Sequence, residues 1–382
     1  MCAMKPVYLD YAATTPVDPR VVEGMLPFFS DSFGNPSSLY SFGRTARRAV
    51  EEARRKVAAL IGAPSDSVYF TSGGSESDNW IVKGIARTML LSGRKCRIVT
   101  TPIEHQAILS ACAQVKKEGA EVFYLPVDPT GEVHTVDLER LAGDNASLVS
   151  VMTANNEIGT IEPIAKIGAW CHAHGIPFHT DAVQAAGHIP ISVEKMQIDA
   201  LSLSAHKLYG PKGIGVLYLR RGVPAEALIH GGAQERDRRA GTENTAGIVG
   251  LGIAAEIAMQ EMQTERVRLI ELREALIKGI LALDGAWVNG SRENRLPGNV
   301  SFGIRGMHHD TLLIRLDMAG FAVSAGSACS AGALEPSHVL LAVGQSEEEA
   351  SCALRVTLGR WTQKEEVVQF LHTLTEIVSS IR

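Results

Sequence analysis

The spacing of apolar and polar residues changes period several times along the chain. Short apolar or alternating runs at Val68–Thr71, Arg97–Thr101, Glu121–Leu125, Leu148–Ala154, Pro177–Asp181, Ala200–Ser204 and Gly215–Leu219 predict strands. Between them, helical spacing covers Ser75–Leu91, His105–Lys117 and Ile164–His174, and the last two close on Gly119 and Gly175. An earlier amphipathic stretch, Thr45 to Ile61, stops at Gly62. Alternation on this scale predicts a mostly parallel sheet with helices on both faces and ligands at the carboxyl ends of its strands. A long helical run from Thr245 to Leu283 follows, with Gly247, Gly250 and Gly252 near its start. Beyond Asp284 the texture becomes short strands and helices: Val300–Ile304, Asp310–Met318, Phe321–Ser324, Ser337–Val343, Leu354–Thr357 and Gln363–Ser379. That reads as a smaller α+β domain joined to the first through the long helix.

Composition narrows the function more than the fold. The 382 residues are 45% hydrophobic and 21% charged, which suits a large core and two domains. Lys and Arg number 37 against 42 Asp and Glu, a net charge of -5, so no basic field recruits nucleic acid or an anionic membrane. The start, Met1 to Asp10, lacks the apolar centre of a secretion signal. No window approaches the ~20 apolar residues of a membrane span, and the richest, Ile248–Met259, is interrupted by Glu256. Cys2, Cys96, Cys112, Cys171, Cys329 and Cys352 are scattered without a Cys-x-x-Cys, which fits a reducing cytoplasm and no structural disulfides. Arg44, Arg47, Arg48, Arg54 and Arg55 interleave with Glu51 and Glu52 and read as a solvated helix face.

Candidate chemistry sits at strand ends. The run Ala200–Ser204 leads into Ala205, His206 and Lys207 and then a glycine- and proline-rich turn, so one lysine is delivered to the edge of the sheet. Such an amine suits a Schiff base; a plain loop cation is the alternative. Thr71-Ser-Gly-Gly-Ser-Glu-Ser77 follows a strand and opens a helix, which suits a phosphate. It lacks the Walker and dinucleotide spacings, and a simple N-cap would look the same. His179-Thr-Asp-Ala-Val-Gln184 ends a strand on Asp181, a carboxylate suited to a metal, to nucleophilic attack or to a protonated heterocycle nitrogen. Metal is disfavoured because no second ligand stands at the right spacing; His172 and His174 read as surface and cap residues. Lysine, carboxylate and phosphate cradle in this order are the parts needed for pyridoxal phosphate. A fourth stretch, Ser324–Ala333, sets Cys329 among small residues between Gly326 and Gly332, which suits an exposed nucleophilic thiol better than a core position.

With these motifs stand Tyr8-Leu-Asp-Tyr-Ala-Ala-Thr-Thr-Pro16, Gly34-Asn-Pro-Ser-Ser38, Glu104-His105, Asn155-Asn-Glu-Ile-Gly159, Arg239-Ala-Gly-Thr-Glu-Asn244, Leu334-Glu-Pro-Ser-His338 and Leu354-Arg355. Together they make the chain resemble the NifS/IscS-type cysteine desulfurases of the class V aminotransferase superfamily over essentially its whole length. The resemblance implies an α/β chain of the pyridoxal-phosphate transferase fold type I. Residues 15–260 would form a large domain on a mostly parallel seven-stranded sheet. Residues 1–14 and 261–382 would form a small α+β domain carrying the cysteine loop near 324–336. It also implies a homodimer with shared sites that converts L-cysteine to L-alanine, leaves the sulfur on Cys329 as a persulfide, and passes it to an acceptor such as an iron–sulfur scaffold protein.

Carried onto this sequence, the resemblance makes Lys207 the cofactor lysine and Cα base, Asp181 the partner of the ring nitrogen and Gln184 that of the ring hydroxyl. His105 would stack on the ring and handle protons near the sulfur. Gly74, Ser75, Ser204 and His206 would hold the phosphate, and Thr242 would reach the phosphate of the second subunit. Asn156 would lie beside the cofactor, and Arg355 with Asn35 would grip the substrate carboxylate. Met307-His-His-Asp310 stands where acidic residues are usual and reads as surface. A selenocysteine lyase or another class V aminotransferase shares most of these parts, but transamination has no use for Cys329. A non-catalytic scaffold would not need Lys207, Asp181, His105, Cys329 and Arg355 together.

Overall fold

The computed structural model describes residues 6–143, 145–326 and 336–382; Cys329 and Cys2 lie outside the described residues. All seven expected strand segments enter one sheet. From edge to edge it runs Val68–Thr71, Gly215–Leu219, Ala200–Ser204, Phe178–Asp181, Leu148–Ser150, Arg97–Thr100 and Glu121–Tyr124. Neighbours from Ala200–Ser204 to Glu121–Tyr124 pair in parallel, while Gly215–Leu219 is antiparallel to both of its neighbours. The antiparallel strand follows from a short return: just after Lys207 the chain reverses through Tyr209 (φ 64°) and Gly213 (φ 78°), which leaves no room for a crossover helix.

Alternate residues of each strand enter different cores, as a period of two requires. Ile98, Leu148 and Leu217 pack with Trp80, Ile85 and Ile108 from the helices Gly74–Leu91 and Gln106–Lys117. Val99, Val149, Leu201 and Leu203 face the opposite way, toward Val50 and Val57 of the helix Ser41–Ile61 and Ile167 of Ile164–Ala173. The helix Ser41–Ile61 ends where Gly62 turns left-handed (φ 64°), a conformation that costs a side-chain-bearing residue more than glycine.

A second core lies under the three-stranded antiparallel sheet Ala353–Thr357, Asn299–Ile304 and Ala286–Val288, where Phe302, Leu354 and Val356 meet Leu316, Phe370 and Leu374. Val7–Tyr8 adds a short parallel pair with Phe321–Ala322. One helix, Thr245–Leu281, serves both cores: Ile248 to Ala258 face the first and Leu269 to Ile280 the second. Its Gly252 rests against Ala53, where an added Cβ would meet the Ala53 Cα and Cβ at 2.6 Å, so the two helices cross backbone to backbone.

Two readings change. The run expected as a strand over Leu148–Ala154 is strand only to Ser150, yet Val151 and Thr153 still donate to the His179 and Asp181 carbonyls at 3.1 and 2.8 Å. Arg54 is not on a solvated face. It is 3% exposed and its guanidinium forks onto Glu235 at 2.7 and 2.8 Å. No described helix is long and apolar enough to cross a membrane.

Candidate active site

The carboxyl ends of the parallel strands open into a cavity of about 490 Å³. Lys207, Asp181, Gln184, His105, Gly74, Ser75, Ser204, His206, Asn156 and Arg355 all line it. Volume and enclosure suit a cofactor-sized ligand.

Asp181 ends its strand 6% exposed, and its Oδ1 accepts from the Val183 N–H at 2.8 Å. Burial pushes its pKa upward, partly opposed by His105 and Lys207. A cationic heterocycle nitrogen would remove that penalty. Beneath it, His179 is fully buried between Ser150 Oγ (2.9 Å) and Ser202 Oγ (3.0 Å), and burial lowers its pKa to about 3, so the ring is neutral. Asp78 also lines the cavity, and its buried Oδ1 has no hydrogen-bond partner among the described residues. Burial first, and the Asp181 charge second, push Asp78 well above the usual carboxylate range.

Lys207 reaches across the cavity floor to the N-terminal segment, donating to the Ala13 carbonyl at 2.7 Å and to that of Ala12. Gln184 Nε2 also donates to the Ala12 carbonyl, at 3.0 Å. His206 lies beside Thr14 (Nδ1 to Oγ1, 3.1 Å), and burial with Lys207 and Lys212 lowers its pKa to about 4.

The cradle lies at the start of the helix Gly74–Leu91. Gly73 has φ 159° and ψ −179°, a region essentially open to glycine alone. A Cβ on Gly74 would fall 2.7 Å from Val183 Cγ2, so bare backbone is required here and the first N–H groups stay uncovered. His105 caps the helix Gln106–Lys117: its Nδ1 accepts from the Ala107 N–H at 3.1 Å, which leaves the neutral ring's proton on Nε2.

Arg355 enters from the other sheet, 1% exposed. Its Nη2 donates to Asp10 Oδ1 at 2.8 Å, and its Nη1 to the carbonyls of Gly326 (2.6 Å) and Asn156 (3.2 Å). Its buried Nε has no hydrogen-bond partner among the described residues, so the guanidinium keeps a donor for an anion.

Two expected residues stand elsewhere. Asn35 is exposed, and its Oδ1 caps a turn by accepting from the Ser37 N–H at 2.9 Å. Thr242 is exposed and does not line the cavity of its own chain. Conversely, Ala12, Ala13, Asp78, Glu157, Ser337 and His338 line the cavity without having been given a role, although all but Asp78 fall in stretches quoted for the resemblance. Among the described residues, one His/Asp group has metal-compatible spacing: His308, His309 and Asp310. It lies away from the cavity, at the positive end of the helix His309–Met318, which disfavours a cation. Cys96, Cys112, Cys171 and Cys352 are buried free thiols, and burial pushes Cys112 and Cys171 up to about 12, so none is a ready nucleophile.

The family model described as aminotransferase class-V matches residues 7–370. Cysteine desulfurase IscS of Clostridium botulinum is 51% identical over 381 residues, 99% of this chain and 96% of that protein. A solved NifS-like protein superposes with a TM-score of 0.92 at 40% identity, covering 98% of this chain and 100% of the other. SspA, solved in complex with cysteine, superposes at 0.80 with 38% identity over 92% of this chain and 98% of its own. With a cofactor-sized cavity built on these residues, and with relatives this similar along its whole length, the chain belongs to the class V aminotransferase family, among its cysteine desulfurases.

Proposed function

We propose that Lys207 and Asp181 hold pyridoxal phosphate, that Arg355 grips L-cysteine, and that Cys329 takes its sulfur as a persulfide, leaving L-alanine. The observation that carries this reading is the convergence of Lys207, Asp181, the Gly74 cradle and Arg355 on one cavity. Enzymes of this family work in general with pyridoxal phosphate.

The donor set fits that cofactor. It offers one lysine, a buried carboxylate at the end of the strand Phe178–Asp181, and a helix N-terminus kept bare by Gly73 and Gly74. When bound, pyridoxal phosphate supplies an aldehyde for the substrate amine and a protonated ring that draws electrons from Cα. Asp181 keeps the ring nitrogen protonated, and Gln184 is assigned to the ring hydroxyl. Ser75, Ser204 and the His206 ring, with the helix N–H groups, hold the phosphate. Lys207 Nζ would take the Cα proton. His105 Nε2 handles protons near the two thiols. Arg355 orients the substrate carboxylate, with Asn156 beside it.

Cys329, as its thiolate, attacks the substrate sulfur. An S–S bond forms, the Cβ–S bond breaks with its electron pair passing to Cβ, and protonation of Cβ with return of the Cα proton from Lys207 Nζ completes alanine. Holding two sulfurs in line can be worth up to ~7–11 kcal/mol of barrier. The persulfide then leaves to an acceptor protein, for which an iron–sulfur scaffold is the chemical fit.

A homodimer is part of this reading. Phe29 is 66% exposed and Leu39 87% exposed, with Phe33, Tyr40 and Phe42 exposed beside them, an apolar surface that a second copy would cover. Thr242, exposed on its own chain, and Asn35 are then contributed across that contact.

Mass spectrometry of the Cys329 peptide after incubation with L-cysteine tests the assignment. One added sulfur together with free alanine is expected, and Cys329→Ala should stop sulfide release while the borohydride-reducible chromophore remains. Turnover without an adduct on Cys329 would sink it. A keto acid product would instead mark an aminotransferase.

A further inference from the structure

Residues 235–237 carry backbone strain that the chemistry above does not explain. Glu235 (φ 46°), Arg236 (φ 58°) and Asp237 (φ 63°) are three consecutive non-glycine residues in the left-handed region. Each sets its Cβ against a carbonyl oxygen, and such a run relaxes unless its surroundings hold it.

The surroundings hold it at both ends. Glu235 is 6% exposed, and both carboxylate oxygens receive the Arg54 fork at 2.7 and 2.8 Å. The Phe70 N–H adds a third bond at 2.9 Å, and Arg54 Nη1 also donates to the Val68 carbonyl at 2.9 Å. The strained turn is therefore bolted to the edge strand Val68–Thr71, which runs directly into the phosphate cradle. Four residues further on, Arg239 forks onto Glu76 at 2.9 and 3.1 Å, and Glu76 accepts from the Ser72 N–H at 2.8 Å inside that cradle. Gln234 closes the loop by accepting from the Gly241 N–H at 3.0 Å. Thr242 follows immediately, exposed.

Neither Arg54 nor Glu235 lines the cavity of its own chain. A buried ion pair is a poor way to add stability, because both charges lose their water, so a role in holding geometry is the better account. We propose that the Arg54–Glu235 pair is a positioning device acting in trans: it fixes the 234–242 segment in the shape that hands Thr242 to the cofactor phosphate of the second subunit. This rests on the reading that the dimer's sites are shared.

Titration of the cofactor-free dimer with pyridoxal phosphate tests the idea. Glu235→Gln should bind the cofactor at least about tenfold more weakly while remaining dimeric, because the competent shape becomes a minor population. Arg54→Lys, which keeps the buried charge paired but loses the fork, should fall between the two. Adding Asp237→Gly to Glu235→Gln should recover part of the loss, since glycine adopts the left-handed turn without strain. Wild-type affinity in Glu235→Gln would overturn the proposal.

The decisive arm is a heterodimer of one Glu235→Gln chain and one Lys207→Ala chain. Its one remaining Lys207 faces a partner with an intact clamp, so the chromophore there should form with wild-type affinity. Affinity as weak as in the Glu235→Gln homodimer would show that the pair acts within its own subunit, and would overturn the proposal. A heterodimer of Thr242→Ala with Lys207→Ala separates the two readings. Recovery there, with failure in the Glu235→Gln pairing, leaves shared sites standing and removes only the clamp; wild-type affinity in the Thr242→Ala homodimer removes shared sites and the clamp with them.

Discussion

Arg355 and Asp10 meet at 2.8 Å, Nη2 to Oδ1, although 345 residues separate them in the chain. The pair joins the N-terminal segment, whose Ala12 and Ala13 carbonyls receive Lys207, to the strand that carries Arg355. Lysine and arginine are thereby registered against one short stretch of backbone.

Arg355→Lys should separate charge from geometry. An ammonium keeps the cation but cannot reproduce the fork that serves Asp10, Gly326 and an incoming carboxylate together. The expected result is a fall in kcat/KM for L-cysteine of about 10²-fold, chiefly through KM, as for truncating a buried hydrogen-bonded charge. An unchanged KM in steady-state kinetics would remove the carboxylate role.

His105→Asn should separate capping from chemistry. Asn is as good an N-cap as any residue, so the bond to the Ala107 N–H is kept and thermal stability should hold. Alanine formation should fall by about 10²–10⁴-fold, the range associated with a positioned proton-transfer group. Equal loss of stability and rate would make His105 a structural residue.

Glu162 makes stability depend on pH. It is 3% exposed; its Oε2 accepts from the Val133 N–H at 2.9 Å, while its buried Oε1 has no partner among the described residues. Burial raises its pKa from 4.5 to about 8. A pKa raised on folding stabilises fully below the unfolded value and loses that contribution as pH rises through the folded one. The window is therefore about pH 4.5 to 8, with up to about 1.4 kcal/mol lost per pH unit. Glu162→Gln stays neutral, so its stability relative to wild type should climb across that window in urea unfolding. A constant difference between pH 5 and 8 would refute the assignment.

Gly252→Ala should destabilise by about 1–3 kcal/mol, the usual range for overpacking. The new methyl would lie 2.6 Å from Ala53 Cα, and backbone cannot turn aside as a side chain can. A variant as stable as wild type by urea unfolding would show that the two helices part without cost.

Much of this architecture is legible in the sequence because strand periodicity and helix stops are local. Asp181 ends its strand, and Lys207 and Ser75 stand a few residues beyond theirs, so their place at the carboxyl edge follows from order along the chain. Asp10 and Asp78 are different. Asp10 acquires its meaning only from Arg355, at the opposite end of the chain, and Asp78 sits in a helix where its spacing resembles that of any polar residue. Arg54 was hidden by its neighbours: among five arginines and two glutamates on one helix, only tertiary packing against Glu235 sets it apart. Thr242 and Asn35 could not be placed in the cavity of a single chain, because both lie on its outer surface.

The helix Thr245–Leu281 passes its first half through one core and its second half through the other. Near its middle, Glu265 receives the Tyr209 hydroxyl and the Arg360 guanidinium, each at 3.2 Å, while Arg360 lies 4.2 Å over the Tyr209 ring. Tyr209 is two residues from Lys207, and Arg360 is five from Arg355. Lys207 and Arg355 are thus tied to one helix through a clasp near its middle. A damaged clasp would therefore register first as a shift of Lys207 against Arg355, before either core had begun to melt.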